Sequence, residues 1–171
     1  MENKDPLAKW EGKVSKRLAK ATVDQICSLY ADFFNLHKWF PGLETCYGIH
    51  GNNGELGCIR FCGISPGDAD KPEPADWAKE RLIAIDHAEH TLTYDVVDTT
   101  IIGLRSYVGT VKILPGGDDD DRTRGCVIEW SFTVDPIDAW SLDGVLAQFD
   151  EWLQLLANKM EGSLANNLDQ A

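Results

Sequence analysis

The sequence predicts an α+β fold: a curved, seven-stranded antiparallel sheet, two short helices and a long C-terminal helix that together enclose a hydrophobic pocket. Three observations carry this prediction. Segments that alternate apolar and polar residues recur from Trp10 to Val134, separated by Gly-, Asn- and Asp-rich turns. Two short helical stripes interrupt them once, directly after the first alternating segment. From Ser141 the period becomes helical and stays so to about Asn166. A chain of 171 residues with no internal repeat and no linker makes one domain, residues 1–171, with its ordered core over about 10–166.

In chain order, Trp10 to Leu18 is a half-buried strand, with Trp10, Gly12, Val14 and Leu18 on one side and Glu11, Lys13, Ser15 and Arg17 on the other. Thr22 and Gln25 have capping-box spacing, and Val23, Ile26, Leu29, Tyr30 and Phe33 follow as a helical stripe. Asn35 is placed to cap a second short helix that buries Leu36, Trp39 and Phe40 and stops at Pro41 and Gly42. Leu43 to His50 and Leu56 to Cys62 are strands joined by the turn GNNGE. The Gly/Pro/Asp stretch from Gly63 to Asp76 is the longest loop, either a lid or a surface excursion.

The next strand, DWAKERLIAID over Asp76 to Asp86, holds the chain's most informative charge. Alternation puts Glu80 on one face with Ala78, Leu82 and Ala84, and sends Lys79 and Arg81 to the other. A carboxylate on an apolar face is costly unless it is paired or has a task. Thr91 to Asp98 is another strand, with Leu92, Tyr94 and Val96 on one side. Leu104 to Leu114 follows, with Tyr107, Val111 and Ile113 on one face. The tip PGGDDDDRTRG is a solvated turn, because calcium loops space their carboxylates and place a sharp-turn glycine among them. Gly125 to Val134 closes the sheet, with Cys126, Ile128, Trp130, Phe132 and Val134 inward. The terminal helix, with Ser141 as its cap, can run roughly 37 Å at 1.5 Å per residue. Leu142, Val145, Leu146, Phe149, Trp152, Leu153, Leu156, Met160 and Leu164 form its continuous apolar face, which must lie across the sheet as core, as ligand wall, or as both.

Composition excludes several classes. A net charge of -12 argues against nucleic acid and anionic membrane surfaces. No apolar run is long enough for membrane insertion, and the polar start MENKDPLAKW has no signal-peptide core, which points to a cytoplasmic protein. Cys27, Cys46, Cys58, Cys62 and Cys126 include no CxxC pair and read as reduced, buried small hydrophobes. The histidines, His37, His50, His87 and His90, offer no metal-ligand spacing, so no metal is expected. No phosphate loop, dinucleotide fingerprint or nucleophile elbow is present, and no obligate protein partner is evident.

Arg60 shares its face with Cys58 and Cys62, a second charge among small apolar side chains. If the connection from its strand to the Glu80 strand is symmetric, positions 60 and 80 lie opposite each other, as do 62 and 78. Such a pair is open to two readings. It is a buried cross-strand ion pair that ties the sheet together. Or it is a proton-transfer site, with burial raising and arginine lowering the affinity of the carboxylate for its proton. Arginine can hold an oxyanion but cannot act as the base. Tyr107 is either an assisting donor or a core aromatic with a satisfied hydroxyl.

The order of elements is that of the helix-grip fold, shared by the major birch pollen allergen and the lipid-transfer START domains. Five stretches resemble more narrowly the lachrymatory factor synthase group of plant polyketide cyclase-like proteins: WEGKV, DFFNLHKWFPGLETC, GCIRF, DWAKERLIAID and EWSF, in that order over Trp10 to Phe132. The resemblance implies a cofactor-free isomerase of a 1-alkenyl sulfenic acid, with Arg60 and Glu80 as its essential residues and Tyr107 as a further one. A length difference around His87 to Thr93 shifts the register of a second family tyrosine, which is assigned to Tyr94. The expected partner is a small hydrophobic or sulfur-containing metabolite, bound by Tyr94, Trp130, Phe132, Phe149 and Trp152.

The rival readings are a carrier or sensor of a small hydrophobic ligand and, if the interior is filled, an interaction protein without a ligand. The abscisic-acid receptors carry a Ser-Gly-Leu-Pro-Ala gate and a His-Arg-Leu latch. GISPG at Gly63 to Gly67 and GLRSY at Gly103 to Tyr107 match neither.

Overall fold

The computed structural model describes residues 8–64, 75–101, 103–116 and 125–169. The strands are β1 (Trp10–Leu18), β2 (Leu43–His50), β3 (Ile59–Ile64), β4 (Asp76–Asp86), β5 (Thr91–Thr99), β6 (Val108–Pro115) and β7 (Cys126–Val134). The helices are α1 (Val23–Ala31) and α2 (Leu142–Asp169), with a 3-10 helix over Phe33–Lys38 and another over Leu104–Ser106. All seven strands join one antiparallel sheet in the order β1-β7-β6-β5-β4-β3-β2, so β1 and β2 are its edges. Alternation is cleanest in β7, where Cys126, Ile128, Trp130, Phe132 and Val134 are all buried. The apolar stripe of α2, including Val145, Phe149, Leu153, Leu156 and Met160, packs into the same core. Among the described residues no helix is long and apolar enough to cross a membrane.

The capping signals act as read. Thr22 Oγ1 accepts from the Gln25 backbone N–H at 3.1 Å, and Gln25 Oε1 accepts from the Thr22 N–H at 3.0 Å. Ser141 Oγ accepts from the Gly144 N–H at 3.0 Å at the start of α2.

Five local expectations are corrected. Asn35 caps nothing: it lies inside the 3-10 helix with non-helical φ/ψ and donates to Asp32 Oδ1. Phe33 is the buried residue of that helix, while Leu36, Trp39 and Phe40 are half-buried. In β4 the register shifts between Leu82 and Ala84, a bulge that turns Ala84 outward and Ile85 toward the interior. β3 begins at Ile59, because Leu56 is exposed in the preceding turn, and continues to Ile64. Tyr107 precedes β6, since the left-handed Gly103 (φ 89°) starts a 3-10 turn where a strand was expected. The candidate lid lies outside the described residues except for its ends, which pair as Ile64 with Asp76. The aspartate run Asp118 to Asp121 lies outside them altogether.

The space between sheet and α2 is largely closed by aromatic rings. Phe149 stacks on Trp130 with centroids 4.4 Å apart and tilts against Phe132 at 4.5 Å. Phe40, just past the first 3-10 helix, meets Trp130 edge-on at 6.1 Å and Trp152 at 5.4 Å. Small cavities remain among the described residues. One of about 60 Å³ lies between α1 and the β4–β5 turn; one of about 30 Å³ lies beside Arg60.

Candidate functional site

The β3–β4 register places Arg60 directly opposite Glu80 and Cys62 opposite Ala78, as symmetry of the connection predicts. Arg60 Nε donates to Glu80 Oε1 at 2.9 Å, and Nη2 forms an ion-pair contact with the same oxygen, also at 2.9 Å. The pair is asymmetric in solvent: the Arg60 side chain is 5% exposed and that of Glu80 14%. Burial, the largest single influence, works against the guanidinium charge, but Glu80 together with Cys62, Tyr94 and Cys46 outweighs it and holds the Arg60 pKa above its ordinary value. Arg60 Nη1 donates to the Phe33 carbonyl at 2.9 Å, and the guanidinium carbon lies 3.8 Å from the Phe33 ring centroid. Both guanidinium contacts with Glu80 end on Oε1, so Oε2 takes none from Arg60.

The tyrosines form a second unit next to the first. Their hydroxyls lie 3.0 Å apart, and Trp130 Nε1 donates to the Tyr107 hydroxyl at 2.9 Å. Burial, first of all, pushes both phenols well above their ordinary pKa. Their close approach depends on Gly109, which stands opposite Tyr94 across β5 and β6. A Cβ there would lie 2.6 Å from the Tyr107 hydroxyl and 2.7 Å from Tyr94 Cζ.

The 30 Å³ cavity is walled by Arg60 and Tyr94 on the sheet, Trp130 on β7, Phe33, Leu36 and Phe40 around the 3-10 helix, and Leu156 on α2. Arg60, Tyr94 and Trp130 thus share one wall. Glu80 and Tyr107 do not themselves line the cavity; each is bonded to a residue that does, Glu80 to Arg60 and Tyr107 to Tyr94. Phe132, Phe149 and Trp152 belong to the aromatic cluster beyond this wall. Tyr94 rather than Tyr107 therefore borders the cavity, with the Arg60 guanidinium carbon 5.3 Å from its ring centroid.

Three contributors were not foreseen in the sequence. The Phe33 carbonyl is a backbone ligand of Arg60, and no side-chain pattern announces it. Phe40 and Leu36 close the cavity from the 3-10 helix and its exit, a segment without a regular helical period. Cys46 faces Cys62 across β2 and β3, with Sγ atoms 3.8 Å apart, and Cys62 Sγ lies 3.6 Å from Glu80 Oε1. Among the described residues no group of three or more potential ligands can hold a metal.

Residues 10–170 match the model of a family described as polyketide cyclase / dehydrase and lipid transport. Among solved structures, the chain is similar to an uncharacterised protein of Bacillus thuringiensis, with TM-score 0.66 and 18% identity, covering 88% of this chain and 98% of that one. It is similar to the protein XoxI of Bacillus cereus, with TM-score 0.65 and 18% identity over 90% and 94%. It is also similar to major latex-like protein 151 of ginseng, Panax ginseng, with TM-score 0.65 and 18% identity over 90% and 97%. At that identity the likeness to solved structures is one of fold alone.

Proposed function

The chain belongs to the polyketide cyclase / dehydrase and lipid transport family, and on that premise we propose that it is a cofactor-free proton-transfer isomerase of the lachrymatory factor synthase kind. Its substrate is a small molecule with an acidic oxygen, an alkenyl sulfenic acid or a related metabolite. The observation that carries this reading is the buried Arg60–Glu80 pair beside a cavity that Arg60 and Tyr94 wall.

The roles follow from the donors and acceptors present. Glu80 Oε2, which Arg60 leaves unengaged, takes the proton from the sulfenic O–H. Arg60 keeps N–H groups on its terminal nitrogens beyond those given to Glu80 and Phe33, and these hold the sulfenate oxygen. The electron pair released at oxygen moves through sulfur to make a carbon–sulfur double bond. The alkenyl carbon distal to sulfur then takes the proton back from Glu80. No electron leaves the substrate and the carboxylate is restored. Tyr94 assists as hydrogen-bond donor to the oxygen.

Cavity size favours a compact ligand over a lipid. Small-molecule sites commonly occupy about 300–1,000 Å³, and a lipid carrier needs space of that order, whereas the cavity beside Arg60 holds about 30 Å³. A compact substrate enters by displacing Leu36 and Phe40, which come from the 3-10 helix and its exit and not from the sheet ladder. A filled interior also suits an interaction protein without a ligand. Against that stands the wall itself, since packing alone is no reason to border a cavity with a guanidinium.

The test generates 1-propenyl sulfenic acid in the presence of the protein and measures thial S-oxide. Wild type is expected to form it, and Glu80→Gln and Arg60→Leu, shown folded by circular dichroism, are expected not to. No product from folded wild type removes the isomerase reading; undiminished product from both variants removes the assignment of roles.

A further inference from the structure

We propose that Cys46 and Cys62 are a modification site, a cross-strand dithiol that closes to a reversible disulfide and thereby withdraws the Cys62 thiol hydrogen from Glu80. The two residues are directly opposed in the β2–β3 register, and their Sγ atoms are already 3.8 Å apart. Directly opposed Cα atoms in antiparallel pairs lie about 4.5–5.5 Å apart, inside the span of about 4.4–6.8 Å that a disulfide bridges. Closing the bond to about 2.05 Å asks each sulfur to move by less than about 1 Å. The backbone can follow such a move. β2 is an edge strand, and register irregularities lie on both sides of Cys46, at Leu43/Thr45 and at Gly48/His50.

The surroundings assign different roles to the two thiols. Cys46 is the nucleophile: a hydrogen bond from Cys62 stabilises its thiolate, burial opposes that, and Arg60 with the backbone N–H groups of Leu36 and His37 adds to it, for a net lowering of its pKa. Cys62 is held protonated by its bond to Cys46 and by burial. It has one thiol hydrogen, which can point to Cys46 or to Glu80 Oε1 but not to both. Burial pushes the Cys126 thiol up to about 11, and burial together with Asp24 raises Cys27, so those two lack the same activation.

With a hydroperoxide as oxidant, the chemistry balances. The Cys46 thiolate attacks one peroxide oxygen, the O–O bond breaks, and water leaves once the released hydroxide is protonated; Cys46 is then a sulfenic acid. Cys62 gives its proton to Glu80 and attacks the Cys46 sulfur. The S–S bond forms, the S–O bond breaks, and the departing hydroxide takes the proton from Glu80 as a second water. Two thiols are oxidised by two electrons and one peroxide is reduced.

The effect on isomerisation rests on the acid/base reading of Glu80; the disulfide does not. Reduced full-length protein is treated with hydrogen peroxide, its remaining thiols are alkylated after unfolding, and the products are mapped by peptide mass spectrometry. The expected result is loss of two of the five thiols, a Cys46–Cys62 linked peptide as the main product, reversal by dithiothreitol, and no such link in Cys62→Ser. All five thiols surviving peroxide, or a main link between other cysteines, overturns the proposal. Mapping wild type needs no variant, so a poorly folding Cys62→Ser leaves the test intact. Linked protein that keeps full isomerase activity overturns the withdrawal from Glu80. A reduced protein that forms the link but never makes thial S-oxide refutes the isomerase reading and leaves the disulfide standing.

Discussion

Arg60 and Glu80 face each other across β3 and β4, and two guanidinium nitrogens converge at 2.9 Å on the single oxygen Oε1. The guanidinium is sealed from solvent and the carboxylate is not fully so. That difference sets what each truncation does.

Removing one partner of a buried pair costs about 3–5 kcal/mol, because the other charge is left behind. Glu80→Ala leaves Arg60 buried with no carboxylate, facing the Phe33 carbonyl and the Phe33 and Tyr94 rings, and it is expected to fall in that range. Arg60→Leu leaves a carboxylate that water can reach, and it is expected to cost less. Urea unfolding of both variants checks the order; an equal or reversed cost contradicts the asymmetric burial.

The two tyrosines are expected to separate stability from activity. Tyr107→Phe strips the buried Trp130 N–H of its acceptor, a loss of about 1–3 kcal/mol. Tyr94→Phe removes only the bond between the hydroxyls and leaves Trp130 paired, so it costs less. Thial S-oxide formation, in contrast, is expected to fall more in Tyr94→Phe, since Tyr94 borders the cavity. Thermal melts and product assays on the two variants decide both halves.

Leu156 is 3% exposed on α2 and lines the cavity beside Arg60. Leu156→Ala is expected to destabilise by about 2–5 kcal/mol and to leave a larger void. A small apolar probe such as benzene should then raise the melting temperature of the variant but not that of wild type. No probe-dependent shift in the variant indicates that the void collapses.

The tyrosines also set an alkaline limit. Tyr94 and Tyr107 have folded-state pKa values raised above the ordinary value of 10.0, by burial first. The stability gained by keeping them neutral is therefore complete below that pH and is lost as pH rises toward the folded values. Their tyrosinate absorbance is expected to appear together with loss of the far-ultraviolet circular dichroism signal. Full tyrosinate absorbance in a protein that keeps its native signal contradicts their burial.

What the sequence determined by itself is what depends on neighbours along the chain. Period-two alternation assigned β1, β5 and β7 and their inner faces, and β4 as far as Leu82; the Thr22–Gln25 box started α1, and the long stripe set α2, because each signal is local. The position of Glu80 on an apolar face was legible for the same reason. The tertiary structure decided which residues meet. The loop between β3 and β4 is too long to fix register, so the Arg60–Glu80 pair depends on strand pairing. The bulge after Leu82 moved Ile85 inward against simple alternation. Phe40, from a segment with no reliable period, closes on Trp130 and Trp152 and reduces an expected pocket to about 30 Å³. Cavity volume is what remains after every side chain on opposing elements has packed, and no single stretch of sequence carries that sum.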